Sequence, residues 1–185
     1  MKYLYGYCLP VILFVSVTAM EISCKGKNRS NHVPLEKTDT SRCGATIPRP
    51  TGCINDFVHL FTPGEQKTLD SICTRYSEKG YGQIALVTMD SIPLQQCDIK
   101  DYATDLGNNW GVGNKSKDDG IVIVISISQR QIAIANGYGT EKILSDQQTK
   151  NIIDSVFIPS FKKANFFEGC YNGLLAIDQF MSRIN

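Results

Sequence analysis

The sequence predicts an α/β domain in which helices cover a mixed sheet containing one parallel crossover and one antiparallel hairpin. Three observations carry this. Helix-periodic and strand-like segments alternate from residue 62 to residue 127, the order that produces parallel strands joined through a helix. Ile121 to Ile127 is apolar almost without break, as a central strand covered on both faces would be. Only Ser128, Gln129 and Arg130 then separate it from an alternating segment, Gln131 to Asn136, a spacing that pairs neighbouring strands as a hairpin.

The first helix opens on a capping box, Thr62-Pro63-Gly64-Glu65, with proline at the first helical position. Leu69, Ile72, Cys73 and Tyr76 follow at i, i+3, i+4 and i+7 and make one apolar face. Gly80 and Gly82 stop the helix near Lys79. Gln83 to Met89 is short, apolar and rich in branched side chains, hence a strand. Asp98 opens a second helix with Ile99, Tyr102, Ala103, Leu106 and Trp110 along one stripe, and Gly111 to Gly120 is a polar loop. The unit from 83 to 127 is expected to be a right-handed crossover. Ser145 caps a third helix that buries Ile152, Ile153, Val156 and Phe157, and Pro159 ends or kinks it. Cys170, Tyr171, Leu174, Leu175, Phe180 and Met181 mark the last helix. The body, placed at 48–185, is long enough for one sizeable core.

Residues 1–24 read as a targeting segment. Lys2 is the only charge before Glu21, and eighteen uncharged, mostly apolar residues run from Tyr3 to Met20. A basic start before an apolar run is the pattern of a secretory signal, and a retained membrane anchor is its rival. Val17-Thr18-Ala19 offers one processing site. Ile22-Ser23-Cys24 resembles the end of a bacterial lipoprotein box, in which Cys24 would carry lipid, although Glu21 departs from that pattern. Each route predicts an exported protein on the periplasmic or outer side of a membrane, anchored through Cys24 or the apolar segment if anchored at all. Residues 25–47 read as a polar, basic linker; the stretch 25–53 carries six basic and two acidic side chains, a net of +4.

Composition narrows the function. The 185 residues are 42% apolar and 20% charged with a net charge of +1, so no basic excess argues for nucleic acid. A mean hydropathy of −0.14 argues against a multi-span membrane protein. Cys43, Cys53, Cys73, Cys97 and Cys170 in the body contain no Cys-x-x-Cys pair, which removes support for zinc and thioredoxin-like readings. An exported chain permits disulfides, with the pairing left open. The only histidines are His32 and His59, and no Gly-x-Ser-x-Gly elbow exists.

The predicted topology gathers acidic residues. Asp118 and Asp119 directly precede the strand at Ile121, and the antiparallel partner ends near Asn136, so Gly137 to Glu141 returns to the same edge. Asp146, at the start of the next helix, is expected nearby. Hard cations such as calcium take six to eight oxygens from carboxylates, carbonyls and water. The plainer reading makes these loop and cap residues. Tyr138, in the Gly137-Tyr138-Gly139 turn, is a candidate ligand contact.

An ordered set of short motifs resembles the TPM-domain family, small envelope or lumenal domains related to a thylakoid-lumen phosphatase. The set runs from Ile54-Asn55-Asp56-Phe57 through Leu60-Phe61-Thr62-Pro63, Asp101-Tyr102-Ala103 and Trp110-Gly111-Val112-Gly113. It continues with Lys117-Asp118-Asp119-Gly120, Gly137-Tyr138-Gly139, Glu141, Ser145-Asp146, Ile158-Pro159-Ser160-Phe161 and Asn165-Phe166-Phe167. Asp119 stands where the family commonly has asparagine, and Thr140 where it often has leucine. The resemblance implies a three-layer α/β/α sandwich, divalent-cation binding (often calcium) and, in a few members, phosphatase activity. It adds Asp56 to the candidate ligands Asp118, Asp119, Glu141 and Asp146. The leading expectation is a calcium-binding accessory or assembly module for an envelope or membrane protein. The runner-up is a metal-dependent phosphomonoesterase, with Lys115 and Lys117 as candidate phosphate contacts.

Overall fold

Alternating apolar residues build a four-stranded sheet in the order β1-β2-β3-β4. Its strands are β1 (Ile54–Asp56), β2 (Gln83–Met89), β3 (Gly120–Ser126) and β4 (Gln131–Asn136). The computed structural model describes residues 40–94 and 97–184. Residues 1–39, which include the expected targeting segment with Cys24 and most of the expected linker, lie outside the described residues. Among the described residues, no helix is long and apolar enough to cross a membrane.

β1, β2 and β3 are parallel, and β3 and β4 form the expected antiparallel hairpin. β1 was not expected from the sequence. It is only three residues long and centred on a polar residue. Asn55 is fully buried because its amide is used locally: its Oδ1 accepts from Thr51 N at 2.6 Å and its Nδ2 donates to Gly52 O at 2.9 Å.

The period of two sorts side chains between two layers. Ile84, Leu86, Ile121, Ile123, Ile125 and Ile134 face a thick layer formed by α1 (Pro63–Glu78), α4 (Asp146–Ile152), α5 (Ile158–Phe161) and α6 (Phe166–Ile184). The smaller Ala85, Val87, Val122, Val124, Ala133 and Ala135 face α2 (Ile99–Trp110). This is a three-layer α/β/α sandwich. The two parallel connections both step the same way across the sheet, yet α1 and α2 lie on opposite faces. They therefore have opposite hands, and one of them departs from the right-handed rule.

α1 carries its capping box, with the Thr62 side chain accepting from Glu65 N, and α2 carries another between Asp98 and Asp101. A single turn, α3 (Tyr138–Glu141), follows β4. The third expected helix is divided. α4 widens into a π-helical turn, Ile153–Phe157, in which Ile158 N reaches Ile153 O, and then continues as α5. Pro159 has no N–H and its ring would press on the Ser155 carbonyl in a regular helix, so the widened turn relieves both conflicts.

The linker boundary needs correction. Residues 40–47 belong to the packed body. Cys43, Ala45 and Ile47 are buried against α2, and Cys43 is disulfide-bonded to Cys97. Tyr102 Oη donates to Thr46 O at 2.9 Å, Trp110 Nε1 donates to Pro48 O at 2.8 Å, and Arg42 bonds Asp105 at 2.6 Å. The polar composition of this stretch hid alternating buried residues whose partners lie more than fifty positions away.

Candidate functional site

The loop from Val112 to Gly120 brings Asp118 and Asp119 to the edge of the sheet where β3 begins and β4 ends. It is held from within: Asn114 O accepts from Lys117 N and Asp118 N, and Asn114 Oδ1 accepts from Ser116 N and Oγ. Asp119 Oδ1 accepts from Asn114 N at 2.6 Å, and Asp118 Oδ2 accepts from Tyr138 N at 3.2 Å. Asp118 adopts a left-handed backbone with φ 53°, and its carbonyl accepts from Gly139 N at 2.8 Å.

Glycines form the seat of this loop. Gly82 has φ +112°, and a Cβ there would collide with the Asp119 carbonyl. A Cβ on Gly139 would collide with the Lys117 carbonyl. Backbone meets backbone at both points, so the positions of Asp118 and Asp119 are fixed by main-chain packing.

One oxygen of each aspartate is engaged by a backbone N–H, which leaves Asp118 Oδ1 and Asp119 Oδ2 without a hydrogen-bond donor among the described residues. Two buried hydroxyls near this edge also lack a partner among the described residues, Tyr76 Oη and Thr140 Oγ1. Burial pushes the Tyr76 phenol up, and the Asp119 carboxylate adds to the rise, so that phenol stays protonated. Thr140 and Asp119 line one hollow of about 310 Å³ together with Lys79, Lys117 and Tyr81. Glu141 closes the α3 turn, and its N–H donates to Gly137 O at 2.9 Å.

The predicted acidic group is only partly assembled. Asp118, Asp119 and Glu141 share this edge through the Gly137–Gly139 turn. Asp146 does not join them: its Oδ1 pairs with Lys100 Nζ at 2.8 Å beside the start of α2. Asp118 lies by Thr104, Gly107 and Asn108, further along that helix, about 6–12 Å beyond Lys100 along its axis. The one-turn helix α3 carries the chain away before α4 begins.

Asp56 is at the opposite end of the sheet. It pairs in register with Thr88, which faces Ile125, five residues beyond Gly120 and about 17 Å along the strands. Its carboxylate accepts from Leu60 N at 3.0 Å, Phe61 N at 2.9 Å, Gln66 Nε2 at 3.2 Å and the Thr88 hydroxyl. Burial pushes its pKa up, but the bond from Thr88 and those from Leu60, Phe61 and Gln66 outweigh it and hold the carboxyl below its ordinary value. Asp56 thus ties β1 to the start of α1. Among the described residues, no three His, Cys, Asp or Glu side chains form a group placed to hold a metal ion. Asp119 lines the hollow that holds Thr140, whereas Asp118 lines another with Thr104 and Asn108, so a cation in either hollow would rest on one of these carboxylates, hydroxyl or carbonyl oxygens and water.

Sequence reasoning missed Tyr76 and Thr140. Tyr76 sits on the apolar stripe of α1 and reads as core, and Thr140 falls in a turn. Tyr138 is 77% exposed, open to solvent at the same turn. Cysteine chemistry finds no support: burial pushes the thiols of Cys73 and Cys170 up, and burial followed by Asp70 raises Cys53. Thiols so placed are poor nucleophiles at neutral pH.

The family model described as the TPM domain matches residues 54–180. In three dimensions the chain is similar to the N-terminal domain of a P. gingivalis protein determined by solution NMR, with 27% identity and a TM-score of 0.65 over 72% of this chain and 84% of that one. It is also similar to the BA42 protein of the psychrophilic bacterium Bizionia argentinensis, with 18% identity and a TM-score of 0.59 over 69% of this chain and 85% of that one. The N-terminal domain of the cg2496 protein of Corynebacterium glutamicum shares 8% identity at a TM-score of 0.56 over 71% of this chain and 80% of that one. At such identities the last two likenesses concern the fold alone. No curated protein matches the sequence.

Proposed function

The chain belongs to the TPM domain family, whose model spans residues 54–180, and from that premise we propose that it is an exported accessory module that binds calcium weakly at the Val112–Gly120 loop edge. The observation that carries the reading is the undonated Asp119 Oδ2, on a loop locked by glycine packing, in the hollow that holds the buried Thr140 hydroxyl, which has no partner among the described residues; Asp118 Oδ1 is undonated in a separate hollow of the same loop. An undonated carboxylate oxygen favours a nearby cation, because opposite charge stabilises its ionised form. Calcium accepts such a mixed oxygen set completed by water. With one carboxylate in each hollow rather than a full cage, the affinity belongs to the weak class, roughly 10⁻⁴ to 10⁻³ M. Export is supported by the basic start and uncharged run of residues 1–24 and by the Cys43–Cys97 disulfide, a bond favoured in oxidising compartments. In this reading the bound cation neutralises the edge and presents it, with exposed Tyr138, to an envelope or membrane protein.

A second reading, metal-dependent hydrolysis of phosphate monoesters, draws on Lys117 and Lys79, which line the same hollow as Asp119. Lys79 is already held by Asp178 at 2.8 Å, which leaves Lys117 as the available phosphate contact there. Calorimetric titration of calcium into the full chain separates the readings when paired with a p-nitrophenyl phosphate assay. Saturable binding that disappears in Asp118→Asn/Asp119→Asn but survives in Asp146→Asn, without turnover, supports the accessory module. Metal-dependent turnover lost in the same double variant supports the esterase. Absence of calcium binding by the intact chain rejects the site.

A further inference from the structure

At the opposite end of the sheet, the C-terminal end of β3 and the tip of the β3–β4 hairpin form a cavity of about 790 Å³ against α5 and the start of α6. This volume lies in the range of small-ligand sites. Its wall is apolar: Ile127, Ile132, Ile158, Phe161 and Phe166 line it, and all are half-buried. No acidic side chain lines it, whereas Arg130 and Lys162 do. Both cations are exposed, and neither has an ion-pair partner among the described residues.

The hydroxyls in the wall are already used. Ser126 Oγ lies 2.6 Å from Gln129 Oε1, and Ser128 Oγ donates to Asp90. Main-chain groups of α5 are used too, with Lys162 N donating to Ile158 O and Ala164 N to Phe161 O. Apart from the Gln131 amide at the rim, a ligand rich in polar groups would find few partners along the apolar wall, which is costly. An alkyl chain needs none, and an anionic end would meet Arg130 and Lys162.

We propose that this cavity binds a single-chain anionic amphiphile, a long-chain carboxylate, with its alkyl chain against Ile127, Ile132, Ile158, Phe161 and Phe166 and its carboxylate at Arg130 and Lys162. The inference concerns a site separate from the loop edge and stands apart from the calcium reading.

The test titrates decanoate, below its micellar range, into the full chain by calorimetry, beside octanoate, acetate and 1-decanol. The expected result is 1:1 binding of decanoate, with each methylene between octanoate and decanoate tightening binding about fourfold. Acetate should show no binding, and decanol binding should be about tenfold weaker than decanoate. Arg130→Glu/Lys162→Glu, both at exposed positions, should fold as the parent does by circular dichroism and weaken decanoate about tenfold while leaving decanol unchanged. Equal affinity for decanoate and decanol, or an unchanged double variant, would overturn the assignment. So would absence of decanoate binding, and concentration-dependent dimerisation lost in the double variant would then assign the cavity to a second copy of the chain.

Discussion

Replacing Asp56 by alanine tests whether this aspartate is a structural tie or a ligand. The substitution removes an acceptor that serves Leu60 N, Phe61 N, Gln66 Nε2 and the Thr88 hydroxyl. Phe61 is 5% exposed and Thr88 fully buried, so their donors lose a partner that water cannot readily replace. An orphaned buried donor costs about 1–3 kcal/mol. Leu60 and Gln66 are half-buried and rehydrate in part. The sum is a loss of about 3–4 kcal/mol for Asp56→Ala, and about 1–2 kcal/mol for Asp56→Asn, which keeps one acceptor oxygen. Equilibrium urea unfolding reads this as a fall of about 1.5 M in midpoint, given a slope of about 2 kcal/mol/M. The sign with pH is also fixed. A carboxyl held below its ordinary value in the folded state contributes stability that is complete above the unfolded value of about 3.9 and is lost as pH falls through the lower folded value. The gap between wild type and Asp56→Asn should therefore be constant from neutrality to about pH 5 and close below about pH 4. The reasoning fails if Asp56→Ala unfolds within about 0.5 kcal/mol of wild type. It also fails if the variant keeps its stability but loses calcium binding, because Asp56 would then be a ligand.

Two further outcomes follow from the packing. Gly82→Ala adds a Cβ at φ +112° against the Asp119 carbonyl and should cost about 2–4 kcal/mol in urea unfolding; Gly64→Ala, with open space around it, should be neutral or slightly stabilising, and equal effects at the two sites would contradict the glycine seat. The Cys43–Cys97 bond joins positions 54 residues apart, so Cys43→Ser/Cys97→Ser should lose up to about 4 kcal/mol. Reductant should reproduce that loss in the wild type and leave the double variant unchanged, and a difference under about 1 kcal/mol would show that residues 40–47 dock without the bond.

What could be seen in the sequence was local or built from adjacent elements. The Thr62–Glu65 box, the stripe Leu69, Ile72, Cys73, Tyr76 and the three-residue gap after Ile127 each fix conformation within a few positions. The hairpin places Asp118 against the Gly137–Gly139 turn, and the hydrogen bonds at Tyr138 N and Gly139 N are its consequence. The hidden features depend on distant partners. Residues 40–47 are polar in composition, and their burial follows from Cys97, Tyr102 and Asp105. β1 has too few residues to show a period, and its direction decides which end of the sheet receives Asp56. The one-turn helix α3 diverts Asp146, and nothing in its short sequence signals that displacement. Among the described cysteines only the structure selects a pair, Cys43 with Cys97, and leaves Cys53, Cys73 and Cys170 free.

Two of the five candidate ligands acquire structural roles that a covered sheet requires. Both faces of this sheet are packed under helices, so its ends and lateral edges are the places left for chemistry or unwanted pairing. An open lateral edge invites another strand, and proteins shorten or cover it. At one edge β1 is three residues long, and Asp56 turns the chain directly from it toward α1 through Leu60 and Phe61. At the other edge β4 is flanked by α2 on one face and α4 on the other, and the Lys100–Asp146 pair joins those helices across it. That pair is exposed at both ends and contributes little energy; its effect is steric, since two side chains occupy the approach to the strand. With Asp56 and Asp146 committed to the edges, the end of the sheet at Gly120 keeps Asp118, Asp119 and Glu141, none of them ion-paired among the described residues. The end at Ser126 has Arg130 and Lys162, which have no ion-pair partner among the described residues. Undonated carboxylate oxygens at one end and an apolar hollow rimmed by Arg130 and Lys162 at the other, separated by about 20 Å of β3, are why a cation is assigned to the first and an anionic amphiphile to the second.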